Sequence, residues 1–277
     1  MDIELCNDKL NVEATLEEVS NNIYKKNYEK AKILIEELVN KVESAPSFEN
    51  DTQSDHYTFN EAMEEILFRH IYKPEIEVRH ASIPYSFIYL QYGSLLLELG
   101  KVKEAREALE KAIRWNPINV EIAFEYIETY KVTGDFEKFA ELTRKAFKHA
   151  FRRKDIARCY RNMGYYFIEK ELYKVAVSCY LLSMNYDKDS RNVQGELDFI
   201  EHKAGRKIEE PTREEIEEYS KQYKFPLGAN EYVISIAYNY GKKYAEAGQE
   251  VPAKYFMSII YELTQDENIK KIIDSIN

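Results

Sequence analysis

The sequence predicts an all-α protein built from repeated pairs of helices, and three observations carry that reading. First, 277 residues include only 9 glycines and 7 prolines, too few chain-bending residues for a turn-rich sandwich or barrel. Second, apolar residues recur at helical spacing along most of the chain. Third, small and aromatic residues recur at fixed intervals. Gly100 to Gly134, Tyr92 to Tyr126 and Ala112 to Ala146 each span 34 residues. Gly93 to Gly164 and Ala105 to Ala176 each span 71, and Gly164 to Gly241 and Ala176 to Ala253 each span 77. Such self-similarity marks a stack of supersecondary units, each unable to bury its apolar face alone.

Taken in order, residues 1–48 form an N-terminal helical region that reads as a diverged repeat. Ala31, Leu34, Ile35, Leu38 and Val42 share one face of a helix at 28–44. A polar loop follows at 49–57, within the turn-rich stretch APSFENDTQSDH. Residues 58–84 hold a helix and a connector. Phe59, Ala62, Met63, Ile66 and Leu67 share a face, Thr58 and Glu61 have capping-box spacing, and Pro74 supplies a stop. No segment alternates with period two for long enough to predict a strand. Three repeats occupy 85–185, with a small insertion near His149–Asp155. A degenerate repeat and connector fill 186–230, with Gly195 at its small position and a break at KFPLGAN. The last repeat and a capping helix make up 231–277. Ile269, Ile272, Ile273 and Ile276 form the stripe expected to pack on the helix before it, leaving Lys270, Lys271 and Asp274 in water.

At these residues the chain resembles the tetratricopeptide repeat family. Its motif runs from an aromatic and a Leu-Gly pair through a second aromatic to two small residues around a bulky one, then a proline. The first clear unit reads Tyr89, Tyr92-Gly93, Leu96, Gly100, Ala105, Leu109, Ala112 and Pro117. The second reads Tyr126-Ile127, Tyr130, Gly134, Phe139, Thr143 and Ala146, with bulky Ile127 and Phe139 at positions the family keeps small. The third reads Tyr160, Met163-Gly164, Phe167, Ala176, Tyr180 and Ser183, and the last Ala237, Tyr240-Gly241, Tyr244, Gly248, Ala253, Met257 and Ile260. The resemblance implies a right-handed superhelical solenoid of antiparallel helix pairs. Gly93, Gly164 and Gly241 would let two helices approach closely, with Ala105, Ala176 and Ala253 opposite. Gly100, Gly134 and Gly248 would end first helices in a left-handed cap.

The resemblance also implies a concave groove lined by first helices, and a non-enzymatic scaffold or adaptor that holds a peptide or protein there. By register the partner-binding residues are Phe87 and Leu90, then Phe124 and Glu128, then Arg158, Arg161 and Tyr165, and finally Tyr238 and Lys242. Apolar, aromatic and cationic side chains together suit an anchored acidic peptide. Three alternatives stand beside this. The groove is filled by the chain's own N-terminal helices; Arg161 pairs internally with Glu128; or the groove holds an enzyme or sensor site. The lysine–asparagine clamp by which some members hold a C-terminal carboxylate has Leu90 and Ser94 at its first positions, so it is absent.

Charge and motif searches narrow the function classes. Lys plus Arg is 39 and Asp plus Glu is 49, a net charge of −10, which argues against a general nucleic-acid binder. Against that background stands one basic patch at 144–161: Arg144, Lys145, Lys148, Arg152, Arg153, Lys154, Arg158 and Arg161. It reads as a solvated helix end or as a docking patch for an acidic protein or nucleic acid. The nine glycines are never closer than seven apart, so phosphate-loop and nucleophile-elbow patterns are missing. Cys6, Cys159 and Cys179 form neither a disulfide framework nor a zinc pair. A cytoplasmic protein without cofactor or metal is expected. The acidic start has no secretory h-region, and Asp2 and Glu4 argue against a lipoprotein signal at Leu5-Cys6.

Overall fold

A computed structural model of the protein describes residues 12–44, 54–188 and 191–276. The Leu5-Cys6 pair and residues 49–53 of the expected polar loop at 49–57 lie outside the described residues. The chain forms two compact units, divided between Gly134 and Asp135. The boundary falls inside the repeat whose two small positions are Ile127 and Phe139.

The first unit opens with α1 (Val12–Tyr24) and α2 (Tyr28–Ser44), followed by β1 (Ser54–Tyr57), α3 (Ala62–Tyr72) and β2 (Glu77–His80). It closes with α4 (Tyr85–Glu98), α5 (Val102–Trp115) and α6 (Val120–Val132). One core runs through it: Leu16 and Val19 of α1 and Ile35 and Leu38 of α2 join Ile88 and Leu95 of α4. The α1–α2 pair stacks on α4 as α4–α5 stacks on α6. Tyrosine hydroxyls tie the layers: Tyr89 donates to Glu43 at 2.9 Å and Tyr92 to Glu36 at 3.2 Å. Tyr92 is pushed up to about 12 by burial and by the Glu36 carboxylate.

The segment between α2 and α4 departs from the sequence reading. β1 pairs in parallel with β2, Ser54 opposite Glu77 and Tyr57 opposite His80, and α3 makes the crossover. Each strand has four residues, and in β2 only Val78 is buried. A period-two signal cannot build up over so short a run. The expected capping box at Thr58 and Glu61 is also corrected. Glu61 is the N-cap and its side chain makes no capping bond. Thr58 instead accepts from Ser86 N through Oγ1 at 3.1 Å, and its own N–H donates to Trp115 O at 2.9 Å. A carboxylate completes the anchor. Glu64, 1% exposed, accepts from Asn60 N, Asn116 Nδ2 and Asn119 Nδ2 at 2.7, 2.8 and 2.8 Å.

The second unit contains α7 (Phe136–His149), α8 (Arg153–Glu169), α9 (Tyr173–Met184), α10 (Arg191–Ala204) and α11 (Arg213–Tyr223). It ends with α12 (Glu231–Glu246), α13 (Glu250–Thr264) and α14 (Glu267–Ser275). α14 packs on α13 with Ile269 buried and with Lys270, Lys271 and Asp274 exposed. The connector at 224–230 carries the chain back toward the α7–α8 junction. There Asn230 Nδ2 donates to Lys148 O at 3.0 Å and Arg153 Nη1 donates to Glu262 O at 2.7 Å.

The repeat register is visible in the close approaches. A Cβ on Gly93 would lie 2.5 Å from Leu109 Cγ, one on Gly164 2.6 Å from Tyr180 Cε2, and one on Gly241 3.0 Å from Met257 Cε. Gly100, Gly134 and Gly248 have φ of 73°, 75° and 68°, the left-handed region of a helix cap. Gly195 differs: a Cβ there would meet nothing within 4 Å, so α10 makes no close helix crossing at that point.

Candidate partner-binding surfaces

Each first helix turns one face to its own pair and leaves another for water or a partner. In the first unit, Phe87 near the start of α4 is 40% exposed. Leu90, one turn on, is corrected from groove to core. It is 8% exposed and joins the cluster formed with α1 and α2, because the N-terminal pair stacks against this part of α4. Phe124 is corrected likewise: at 2% exposed it is interior and not an accessible anchor. Glu128 is half-buried and pairs with Lys131 at 3.2 Å.

In the second unit, Arg161 pairs with Asp187 at 3.0 Å. Arg158 is half-buried on the same helix. The Tyr165 ring meets Phe136 and Phe139 edge-on at 6.0 and 5.9 Å, with its side chain half-buried. Tyr238 on α12 is 41% exposed. Lys242, one turn further, pairs loosely with Glu246 at 3.7 Å with both side chains largely in water. Such an exposed pair contributes only about 0–1 kcal/mol, leaving Lys242 available.

Much of the basic patch is occupied within the fold. Arg144 Nη2 donates to Tyr223 O at 3.1 Å, and Lys145 pairs with Glu141 at 2.7 Å. Arg153 spreads its guanidinium over the carbonyls of Asn185, Tyr186 and Glu262. It thereby satisfies the orphan acceptors near the ends of α9 and α13. Lys148 and Lys154 remain exposed. Beside Lys148, burial first and then the lysine's charge hold His149 down at about 4, so it is neutral at pH 7. Burial raises the Cys159 and Cys179 thiols, which leaves neither as a thiolate nucleophile. Among the described residues no helix is long and apolar enough to cross a membrane, and no cluster of metal-ligating side chains forms.

Two concavities escaped the sequence reading. One, of about 550 Å³ in the first unit, is walled by Tyr57, Phe68, Tyr72 and Ile76 beside Arg114. The other, of about 840 Å³ in the second unit, lies between α7 and the 224–230 connector. Its only sequence signal was the break at KFPLGAN, which marks a loop but says nothing of what the loop faces.

Comparison with known proteins bears on the fold. A search of curated sequences gave no match. A solved structure described as the functional characterization of Pseudomonas aeruginosa pilF is 11% identical, with a TM-score of 0.50, over 96% of this chain and 97% of that one. At that identity the likeness is one of fold. A second structure, described as YrrB, a TPR protein with an unusual peptide-binding site, is 12% identical over 77% of this chain and 98% of that one, with a TM-score of 0.34. A family model described as Tetratricopeptide repeat matches residues 88–119, which span most of α4 and all of α5. That match falls on the residues that carry the register, Tyr89, Gly93, Gly100, Ala105 and Leu109, so α4 and α5 form a tetratricopeptide repeat, and the recurring helix pairs give the chain an all-α fold of the same kind.

Proposed function

We propose that the chain is a non-enzymatic scaffold that binds a peptide or protein segment through the open faces of its first helices. The observation that carries this reading is the pair of large aromatic side chains left in water there, Phe87 on α4 and Tyr238 on α12, at 40% and 41% exposure. Burying such a ring against a partner is favourable by roughly 25 cal/mol per Å² of apolar surface, and tyrosine adds a hydroxyl for a directional bond. On α12, Lys242 one turn from Tyr238 would take a carboxylate of the partner. On α8, Arg158, Arg161 and Tyr165 would extend the contact, with Asp187 released from Arg161 on binding. Glu128 on α6 would contribute a carboxylate to the first unit's surface. Buried, neutral thiols support a binding role over nucleophilic catalysis, and free cysteines fit the reducing cytoplasm.

The test is site-specific photocrosslinking in cells, with benzoylphenylalanine placed at Phe87, at Tyr238, or at Val251, which is 81% exposed on a second helix. A discrete adduct from Phe87 or Tyr238 but not from Val251 is expected. With the crosslinker at position 238, Lys242→Glu should weaken the adduct without lowering the melting temperature. Equal labelling from all three positions, or from none, would overturn the reading.

A further inference from the structure

The cavity of about 840 Å³ between the C-terminal half of α7 and the 224–230 connector is a built feature. Its rim is fixed by Asn230 Nδ2 donating to Lys148 O at 3.0 Å and by Arg144 Nη2 donating to Tyr223 O at 3.1 Å. The connector is pinned from beneath by Phe225, 2% exposed, whose carbonyl accepts from Ser220 Oγ at 2.6 Å. Three cations line the space, Arg144, Lys148 and Lys224, against one carboxylate, Glu231. Lys148 and Lys224 are exposed, and among the described residues neither forms an ion pair. Arg144 Nε is shielded from solvent and has no hydrogen-bond partner, so the guanidinium's donor capacity is not fully used. Apolar wall comes from Phe147, Pro226 and Leu227, the last 46% exposed.

We propose that this cavity is a second binding site, separate from the first-helix faces, for an acidic peptide segment that sets a carboxylate beside a bulky apolar side chain. The surplus of positive charge selects a carboxylate by complementarity, and the lysines would draw it in from solution. The apolar wall then rewards a neighbouring leucine- or phenylalanine-like side chain. A nucleic acid fits less well. The chain's net charge of −10 repels a polyanion, and Glu231 stands in the wall beside the apolar Phe147, Pro226 and Leu227.

The experiment uses the full chain and a dye-labelled hexapeptide of alternating glutamate and leucine, read by fluorescence anisotropy at physiological salt. Saturable binding is expected, weakened about tenfold or more when glutamine replaces glutamate. Lys148→Glu with Lys224→Glu should cost about tenfold or more, while arginine at both positions preserves affinity. Both lysine side chains are exposed, so the melting temperature should hold. If charge reversal lowers it, Lys148→Gln with Lys224→Gln is read instead. Any of four results overturns the proposal: no binding, equal affinity for the glutamate and glutamine peptides, affinity untouched by the lysine changes, or an oligouridylate that binds more tightly and is lost with the same lysines. A wild-type self-association that the double substitution abolishes would assign the cavity to a second copy and also overturn it. Crosslinking at Tyr238 does not read this site, so each proposal can fail alone.

Discussion

Adding one methyl group at Gly164 tests the helix-pair packing most directly. In Gly164→Ala the new Cβ would stand 2.6 Å from Tyr180 Cε2, 2.8 Å from Cδ2 and 3.0 Å from Cζ. Reaching an ordinary contact near ~3.4 Å requires the ring to move by about 0.8 Å. Tyr180 has little room to move, being 2% exposed with its hydroxyl donating to Glu196 at 3.1 Å. Overpacking of this kind costs about 1–3 kcal/mol. Alanine's better helix propensity returns up to about 1 kcal/mol, so a net loss of about 1–2 kcal/mol is expected. The same substitution at Gly195, also within a helix, meets nothing within 4 Å, so Gly195→Ala should gain up to about 1 kcal/mol. Thermal melts followed by circular dichroism, with amide exchange of α8 and α9 as the local readout, measure both. A fall of a few degrees and faster exchange are expected for Gly164→Ala, and the opposite for Gly195→Ala. If Gly164→Ala melts at or above the wild type, the close approach of α8 and α9 is wrong.

Two further outcomes follow from buried polar groups. Glu64→Ala leaves Asn60 N–H and the amides of Asn116 and Asn119 without their carboxylate, each such loss costing about 1–3 kcal/mol, so urea unfolding should show the first unit weakened by about 3 kcal/mol or more; an unchanged midpoint would refute the anchoring role. His149 is held at about 4 against an ordinary 6.5, so the fold disfavours its proton. The neutral ring's contribution is complete above pH 6.5 and is lost as pH falls toward 4, by about 2–3 kcal/mol. His149→Gln should flatten the stability–pH curve in that window, and two superimposable curves would sink the argument.

Local rules were legible in the sequence. A glycine at the left-handed end of a first helix answers to its own φ, and a stripe such as Ile269 to Ile276 answers to helical periodicity. The pairing of Gly93 with Leu109, or of Gly164 with Tyr180, was legible too, because each lies inside one helix hairpin with its partners only sixteen positions apart. Candidate site residues were legible as positions on a helix, but not as exposed or buried ones. Phe87 and Tyr238 face water, whereas Leu90 is sealed by α1 and α2, elements more than forty residues earlier in the chain. The parallel β1–α3–β2 insertion was hidden because two four-residue strands carry no periodic signal and specify each other only across a crossover. The cavity beside α7 was invisible for a related reason. Its cations at 144, 148 and 224 and its apolar wall at 147, 226 and 227 come from segments some eighty residues apart. Sequence by itself determined which residues form helices and how each hairpin closes, because those choices rest on contacts a few turns apart. Only the tertiary structure decided which faces remain open, because burial depends on whatever distant segment arrives to cover them.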